Sequence, residues 1–275
     1  MADFEDDPHA ADVYSSSTTR GYQFLQFETA GGVARITLNR PPANVLSIEM
    51  MEDLNSVLES LEYQREVKLV VLAAAGKYFS AGFEIGDHLG DRAYLMLEGL
   101  RRVIENLARV DKPTLAVVAG PATGAGSILA AACDIVLAGA QNAKFGHPEV
   151  RAGVFNTVAA ALLPHLVGRK KTYDLLLGGQ VLTAAEAERI GLISRAVPDD
   201  KLDAEAAAII QRFSEASAPV MQFTRKGIAG GLDLPFPEAL RQAEDVYLNQ
   251  LMATEDAEEG LRAIMEKRKP VWKDR

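Results

Sequence analysis

Short apolar blocks recur along the first two thirds of this chain, separated by glycine- or proline-bearing turns and by longer stretches with helical spacing. Tyr22–Phe27 and Val33–Leu38 alternate around Thr29-Ala30-Gly31-Gly32 and predict two strands of a hairpin. From Ser47, a candidate N-cap, Met50, Leu54, Val57, Leu58 and Leu61 fall on one helical face, so a helix is predicted to Leu61. Lys68–Ala74 then reads as a buried strand, and the loop Phe79–His88 leads to a helix over Arg92–Arg109 that stops at Asp111-Lys112-Pro113. Thr114–Ala119 is the next buried strand, and Ala122-Thr123-Gly124-Ala125-Gly126 turns it into a small-residue helix ending near Cys133. Ile135–Ala138 predicts a further strand. After Gly146-His147-Pro148-Glu149 an apolar segment, Val154–Val167, precedes a helix over Arg169–Leu177. Repeated strand, loop and helix units with short crossovers imply an α/β fold of layered parallel strands with helices outside.

From about Thr183 the pattern becomes helical and rich in Ala, Glu, Leu and Arg, with interruptions at Pro219, Pro235 and Pro237. Three regions follow: an acidic, disordered tail over 1–20, a core over 21–200 and a helical region over 201–275. The helical faces carry more apolar surface than an isolated appendage needs, so they are expected to pack on the core, on a second copy of the chain, or on both.

Composition narrows the possibilities. The 275 residues carry a formal net charge of −9 with 48% hydrophobic residues, and no basic stripe is visible, so neither nucleic acid nor an anionic membrane is an expected partner. A single cysteine, Cys133 among alanines, excludes an internal disulfide framework and a cysteine-built metal site. It fits a reducing, cytoplasmic location, and the polar start of the chain lacks the basic and apolar blocks of a leader. His9, His88, His147 and His165 have no metal-ligand spacing, so no metal is expected. No GxSxG elbow offers a serine nucleophile.

Two turns carry candidate chemistry. Ser80-Ala81-Gly82-Phe83 leaves one buried strand and the Gly124-Ala125-Gly126 turn leaves another; on neighbouring parallel strands, both could aim backbone N–H groups at one oxygen and stabilise an oxyanion. Tight packing of helix on sheet is the other reading of the second turn. Glu149, in a short loop after a strand, is the first choice for an acid or base beside them, against an exposed loop carboxylate. Glu84, Asp87, His88 and Asp91 form a second polar cluster, read as solvated positions at a helix entry.

Taken together, KYFSAGFEIGD, KPTLAVVAGPATGAGSILAAACDIVLA, AKFGHPEVRAGV, LTAAEAERIGLI and EGLRAIMEKRKPVW resemble the enoyl-CoA hydratase/isomerase, or crotonase, family over about Tyr22 to Trp272. The resemblance implies a spiral of ββα units, a C-terminal helical region that trimerises, and a homotrimer or homohexamer. It implies an acyl-CoA thioester substrate, no cofactor beyond the substrate's coenzyme A, and an oxyanion hole made by the N–H groups of Phe83 and Ala125. Ala81, Glu84, Ile85 and Gly86 would line the coenzyme A path, and Gly124 belongs to the turn that holds the carbonyl. Hydratases of the family carry one glutamate two residues past the last glycine of the central turn and a second in the FGxPE loop. Here the first position is Ile128, and Glu149 alone remains. Asn156, Thr157, or His147 where the family often has glutamine, could orient water instead. RPPANVLSIEMMEDLN, FSAGFEIGDH and PEVRAGVFNT are similar to cyclohexa-1,5-diene-1-carbonyl-CoA hydratases of anaerobic aromatic degradation. Hydration of an alicyclic dienoyl-CoA is therefore expected, with a one-glutamate enoyl-CoA isomerase and a catalytically silent CoA-ester-binding subunit as alternatives.

Overall fold

Residues 21–275 are described by a computed structural model; the acidic tail expected over 1–20 lies outside the described residues. Strands β1 (Leu25–Ala30) and β2 (Val33–Leu38) pair antiparallel through Gly31 and Gly32, both at positive φ, so the expected hairpin forms, although it starts at Leu25 rather than Tyr22. Helix α1 (Ile48–Leu61) begins where Ser47 Oγ accepts the Met50 N–H at 3.3 Å, and returns the chain to β3 (Leu69–Ala74), parallel to β2. Helix α2 (Arg92–Arg109) leads to β4 (Thr114–Val118), and β5 (Ala122–Thr123) turns into α3 (Ala125–Ala131). β6 (Ile135–Gly139), β7 (Lys144–Gly146), α4 (Thr157–Gly178), β8 (Val181–Thr183), α5 (Ala184–Arg189) and β9 (Arg195–Val197) complete the sheets. Four helices close the chain: α6 (Leu202–Ser214), α7 (Ala218–Gly231), α8 (Phe236–Asn249) and α9 (Glu255–Met265).

The main sheet runs β1-β2-β3-β4-β6-β9 and is parallel from β2 onward. Its central strands are buried on both faces, as a parallel sheet requires. Val70 and Leu72 of β3, Ala116 and Val118 of β4 and Val136 and Ala138 of β6 face a large core shared with α1, α2 and α3. Leu69, Val71, Leu115, Val117 and Leu137 face the opposite side, where Leu202, Ala206 and Ile209 of α6 cover them. The helical region expected from residue 201 thus begins by supplying one layer of the core. A polar residue on either face of β3 would forfeit about 1.5–3 kcal/mol of apolar burial, which accounts for the unbroken run LVVLAA.

Two features depart from the sequence reading. A second sheet, β5-β7-β8, stands beside the first; its strands have two or three residues, too few to display a period. The apolar segment is itself helical from Thr157, and Gly168, at φ 77° and ψ 162°, a conformation that glycine alone adopts without strain, separates it within α4 from the helix expected from Arg169.

Candidate active site

The turns after β3 and β4 are joined by backbone hydrogen bonds. Phe79 N–H donates to Pro121 O at 3.0 Å and Thr123 N–H to Ser80 O at 2.9 Å, so Ser80 and Ala122 bridge in parallel. The parallel arrangement that would bring both turns to one side of the sheet is therefore present. On the far side of the loop, Leu46 N–H donates to Gly82 O at 2.7 Å and Glu84 N–H to Leu46 O at 3.0 Å. Strand alternation turns the intervening Phe83 N–H away from Leu46. Ala125 opens α3, so its N–H has no acceptor within the helix. Among the described residues, neither N–H is taken up by another hydrogen bond.

Glycine makes the approach possible. A Cβ on Gly82, at φ 98°, would stand 3.1 Å from Thr123 O and 3.6 Å from Ala125 N, and one on Gly126 would stand 2.5 Å from Ser80 O. Gly124, at φ 55° and ψ −127°, precedes Ala125; a Cβ there would lie 2.9 Å from Glu149 Oε1 and 3.7 Å from Gly82 Cα. These contacts gather Gly82, Gly124, Ala125 N and the Glu149 carboxylate into one small volume.

Glu149 sits in a 3-10 turn over Pro148–Ala152 that follows β7, and Gly124 N–H donates to Gly146 O at 2.8 Å, which ties that turn to α3. The carboxyl is half-buried, and its Oε1 is buried with no hydrogen-bond partner. Burial pushes its pKa above the ordinary carboxylate value, while its own backbone N–H, the Asn156 carboxamide and the charge of His88 pull it back. Asn156 caps α4: its Oδ1 accepts the Ala159 N–H at 3.0 Å, and its buried Nδ2 has no partner. The amide therefore acts on the carboxylate through nearness, without a hydrogen bond of normal geometry.

A family model described as enoyl-CoA hydratase/isomerase matches residues 28–275. The chain belongs to the enoyl-CoA hydratase/isomerase family. A Rhizobium meliloti protein named probable enoyl-CoA hydratase is 38% identical over 257 residues, covering 92% of this chain and 99% of that one. The cyclohexa-1,5-dienecarbonyl-CoA hydratase of Thauera aromatica is 34% identical, covering 90% and 95% respectively. The crystal structure of an enoyl-CoA hydratase from Geobacillus kaustophilus superposes with a TM-score of 0.90 at 26% identity, over 94% of this chain and all of that one. The crotonase fold is thus established, with its C-terminal helical region, and the chain is an enzyme of the hydratase/isomerase kind.

The family's two-glutamate pattern meets an apolar wall in this member. Ile128, on the second turn of α3, is fully buried in the main core. His147 is buried, with neither ring nitrogen partnered, and burial pushes its pKa down to about 4, so the ring is neutral at physiological pH. Ala81, Ile85, Gly86 and Thr157 are exposed, and Glu84 is half-buried. Of the polar cluster after the first turn, Asp91 is exposed at the entry of α2, as expected, whereas Glu84 and Asp87 are tied into the structure. Glu84 pairs with Arg40 at 2.9 Å, and Asp87 is buried, accepting the Ile48 N–H at 3.0 Å and pairing with Arg92 at 2.6 Å. The charges at Glu84 and Asp87 thus brace the loop, because their partners include Arg40 and the Ile48 N–H, groups with no local pattern pointing there. His88 leaves the cluster, stacking edge-on against Phe83 at 5.6 Å.

Asn44 is a brace that the sequence reading missed. At φ 49° it donates from Nδ2 to Ala75 O at 2.9 Å and Tyr78 O at 2.8 Å, and its Oδ1 accepts the Arg40 N–H at 2.7 Å, anchoring the exit of β3. The signal available in the sequence was Pro-Pro-Ala-Asn, since asparagine tolerates the left-handed region. Among the described residues no cluster of potential metal ligands occurs, and no helix is long and apolar enough to cross a membrane.

Proposed function

We propose that this enzyme adds water to an unsaturated acyl-CoA thioester, an alicyclic dienoyl-CoA being the favoured substrate, with Glu149 as the single acid/base. The Phe83 and Ala125 N–H groups would hold the thioester oxygen as charge passes from the α-carbon into an enolate; one such donor is worth roughly 3 kcal/mol in the transition state. The observation that carries the reading is the unpartnered Glu149 Oε1, packed against Gly124 directly before the Ala125 N–H. Coenzyme A enters as part of the substrate along Ala81–Gly86, and no further cofactor is needed. The Thauera relative's name supports a cyclic dienoyl substrate and hence a place in aromatic degradation. A cytoplasmic homotrimer or homohexamer is also proposed; exposed Phe236, Ile264 and Met265 on the terminal helices support self-association.

A second reading, enoyl-CoA isomerase, is favoured by the buried Ile128, since one carboxylate can carry a proton between two carbons. A catalytically silent CoA-ester-binding subunit is the reading of another class. Turnover of crotonyl-, 3-hexenoyl- and cyclohexadienoyl-CoA in oxygen-18 water, read by mass spectrometry, separates them. Labelled product from the cyclic diene is the expected result. Unlabelled, isomerised 3-hexenoyl-CoA would replace the hydratase reading by the isomerase one, and no conversion of any thioester would favour the silent subunit.

A further inference from the structure

Hydration needs more than a base. The attacking water must be held so that one hydrogen points to the base and one lone pair to carbon, and at Ile128 this chain has no polar atom to do it. Two orphaned groups beside the site have complementary character. Asn156 Nδ2 is a buried donor without an acceptor, and Glu149 Oε1 is a buried acceptor without a donor. An unpartnered buried polar group is costly, so two of opposite type beside one site point to a polar molecule between them. The backbone adds the constraint that decides which Asn156 atom takes part. Its Oδ1 is held by the Ala159 N–H as the α4 cap, which leaves Nδ2 as the free end, and the Val154 N–H donates to Glu149 O at 3.2 Å, folding the chain back on Glu149 just before it reaches Asn156.

We propose that Asn156 Nδ2 and Glu149 Oε1 together bind the water that adds to the substrate, so that Asn156 orients the nucleophile in the absence of a carboxylate at Ile128. This rests on the hydratase reading. In the step itself, the water oxygen forms a bond to the β-carbon, or to the distal carbon of a conjugated diene, as Glu149 accepts one of its protons. The double-bond electron pair moves toward the thioester oxygen. The enolate then takes that proton back from Glu149 at carbon, the other hydrogen staying on the new hydroxyl. Throughout, the Asn156 N–H donates to the water oxygen's remaining lone pair. His147 and Ser127 also have buried, unpartnered polar atoms, but of these three residues Asn156 is the one whose side chain acts on Glu149, and Thr157 is exposed.

The test uses the full chain with Asn156→Ser and Asn156→Thr, both of which keep a capping oxygen for α4 and add no charge beside Glu149 while removing the carboxamide N–H donor. Three quantities are compared with wild type: oxygen-18 incorporation, KM for the thioester, and deuterium exchange at the α-carbon of butyryl-CoA, a proton transfer that needs Glu149 and no attacking water. A misplaced nucleophile costs about 100-fold, so kcat for hydration is expected to fall about that far in both variants, with KM within threefold, α-exchange retained and melting temperature unchanged. Hydration within threefold of wild type in either folded variant would overturn the assignment. So would equal loss of hydration and exchange, which would make Asn156 a support for Glu149 alone. A wild-type enzyme that exchanges the α-hydrogen yet incorporates no oxygen-18 from any thioester would refute the hydratase reading itself, and the water role with it.

Discussion

Replacing Gly124 with alanine isolates the close approach on which the site depends. The backbone there, φ 55° and ψ −127°, lies outside the regions open to L-residues, which costs about 1–3 kcal/mol. The new Cβ would meet Glu149 Oε1 at 2.9 Å and Cδ at 3.4 Å, and the carboxylate is the part free to swing away. A displacement of the order of 1 Å costs about 100-fold in rate. Gly31 provides the control: it has the same φ, 55°, in the hairpin, and its Cβ would meet nothing within 4 Å. Gly31→Ala is expected to lose about 1–2 kcal/mol of stability with turnover unchanged, whereas Gly124→Ala loses about 1–3 kcal/mol and about 100-fold in kcat. Urea unfolding and initial-rate kinetics on a substrate thioester measure both. A folded Gly124→Ala enzyme within twofold of wild-type kcat would refute the argument that the carboxylate's position against Gly124 governs turnover.

The raised pKa of Glu149 has opposite consequences for activity and stability. As a base it must be ionised, so the acid limb of the rate profile is expected above the usual carboxylate value of 4.5. Because the folded state favours the protonated form, Glu149's contribution to stability is present below its unfolded pKa and lost as pH rises through the folded one. Glu149→Gln is therefore expected to abolish turnover while unfolding at higher urea than wild type at pH 7–8, with the difference vanishing below about pH 4. Equal midpoints across that range would count against a desolvated carboxylate. At a distance from the site, Arg225 donates to Asp134 at 2.8 Å and to Leu107, Ala108 and Val110 carbonyls at 2.8, 3.0 and 2.7 Å, pinning α7 to the end of α2. Arg225→Met leaves the three carbonyls unpaired, while Asp134 keeps its Thr114 donors, and is expected to cost on the order of 3 kcal/mol in urea unfolding; a loss under 1 kcal/mol would refute that role.

Local pattern was enough for the elements that bury a regular face. The β1–β2 hairpin, α1 with its Ser47 cap, the two-sided strands β3, β4 and β6, and the glycine turn before α3 were all legible, because alternation, helical spacing and positive-φ positions are written in neighbouring residues. Glu149 and the two turns were legible as candidates, and family resemblance supplied their grouping. The tertiary structure decided what depends on residues far apart in the chain. β5, β7 and β8 exist only because they pair with one another, and Glu84 and Asp87 became braces only when Arg40 and the Ile48 N–H arrived. The Asn156 carboxamide acquired a free donor only because α4 starts where it does. Most of all, the shift in Glu149's pKa and the loss of its hydrogen-bond partners arise from burial against Gly124. Desolvation is a property of the surrounding volume, and no run of neighbouring residues encodes it.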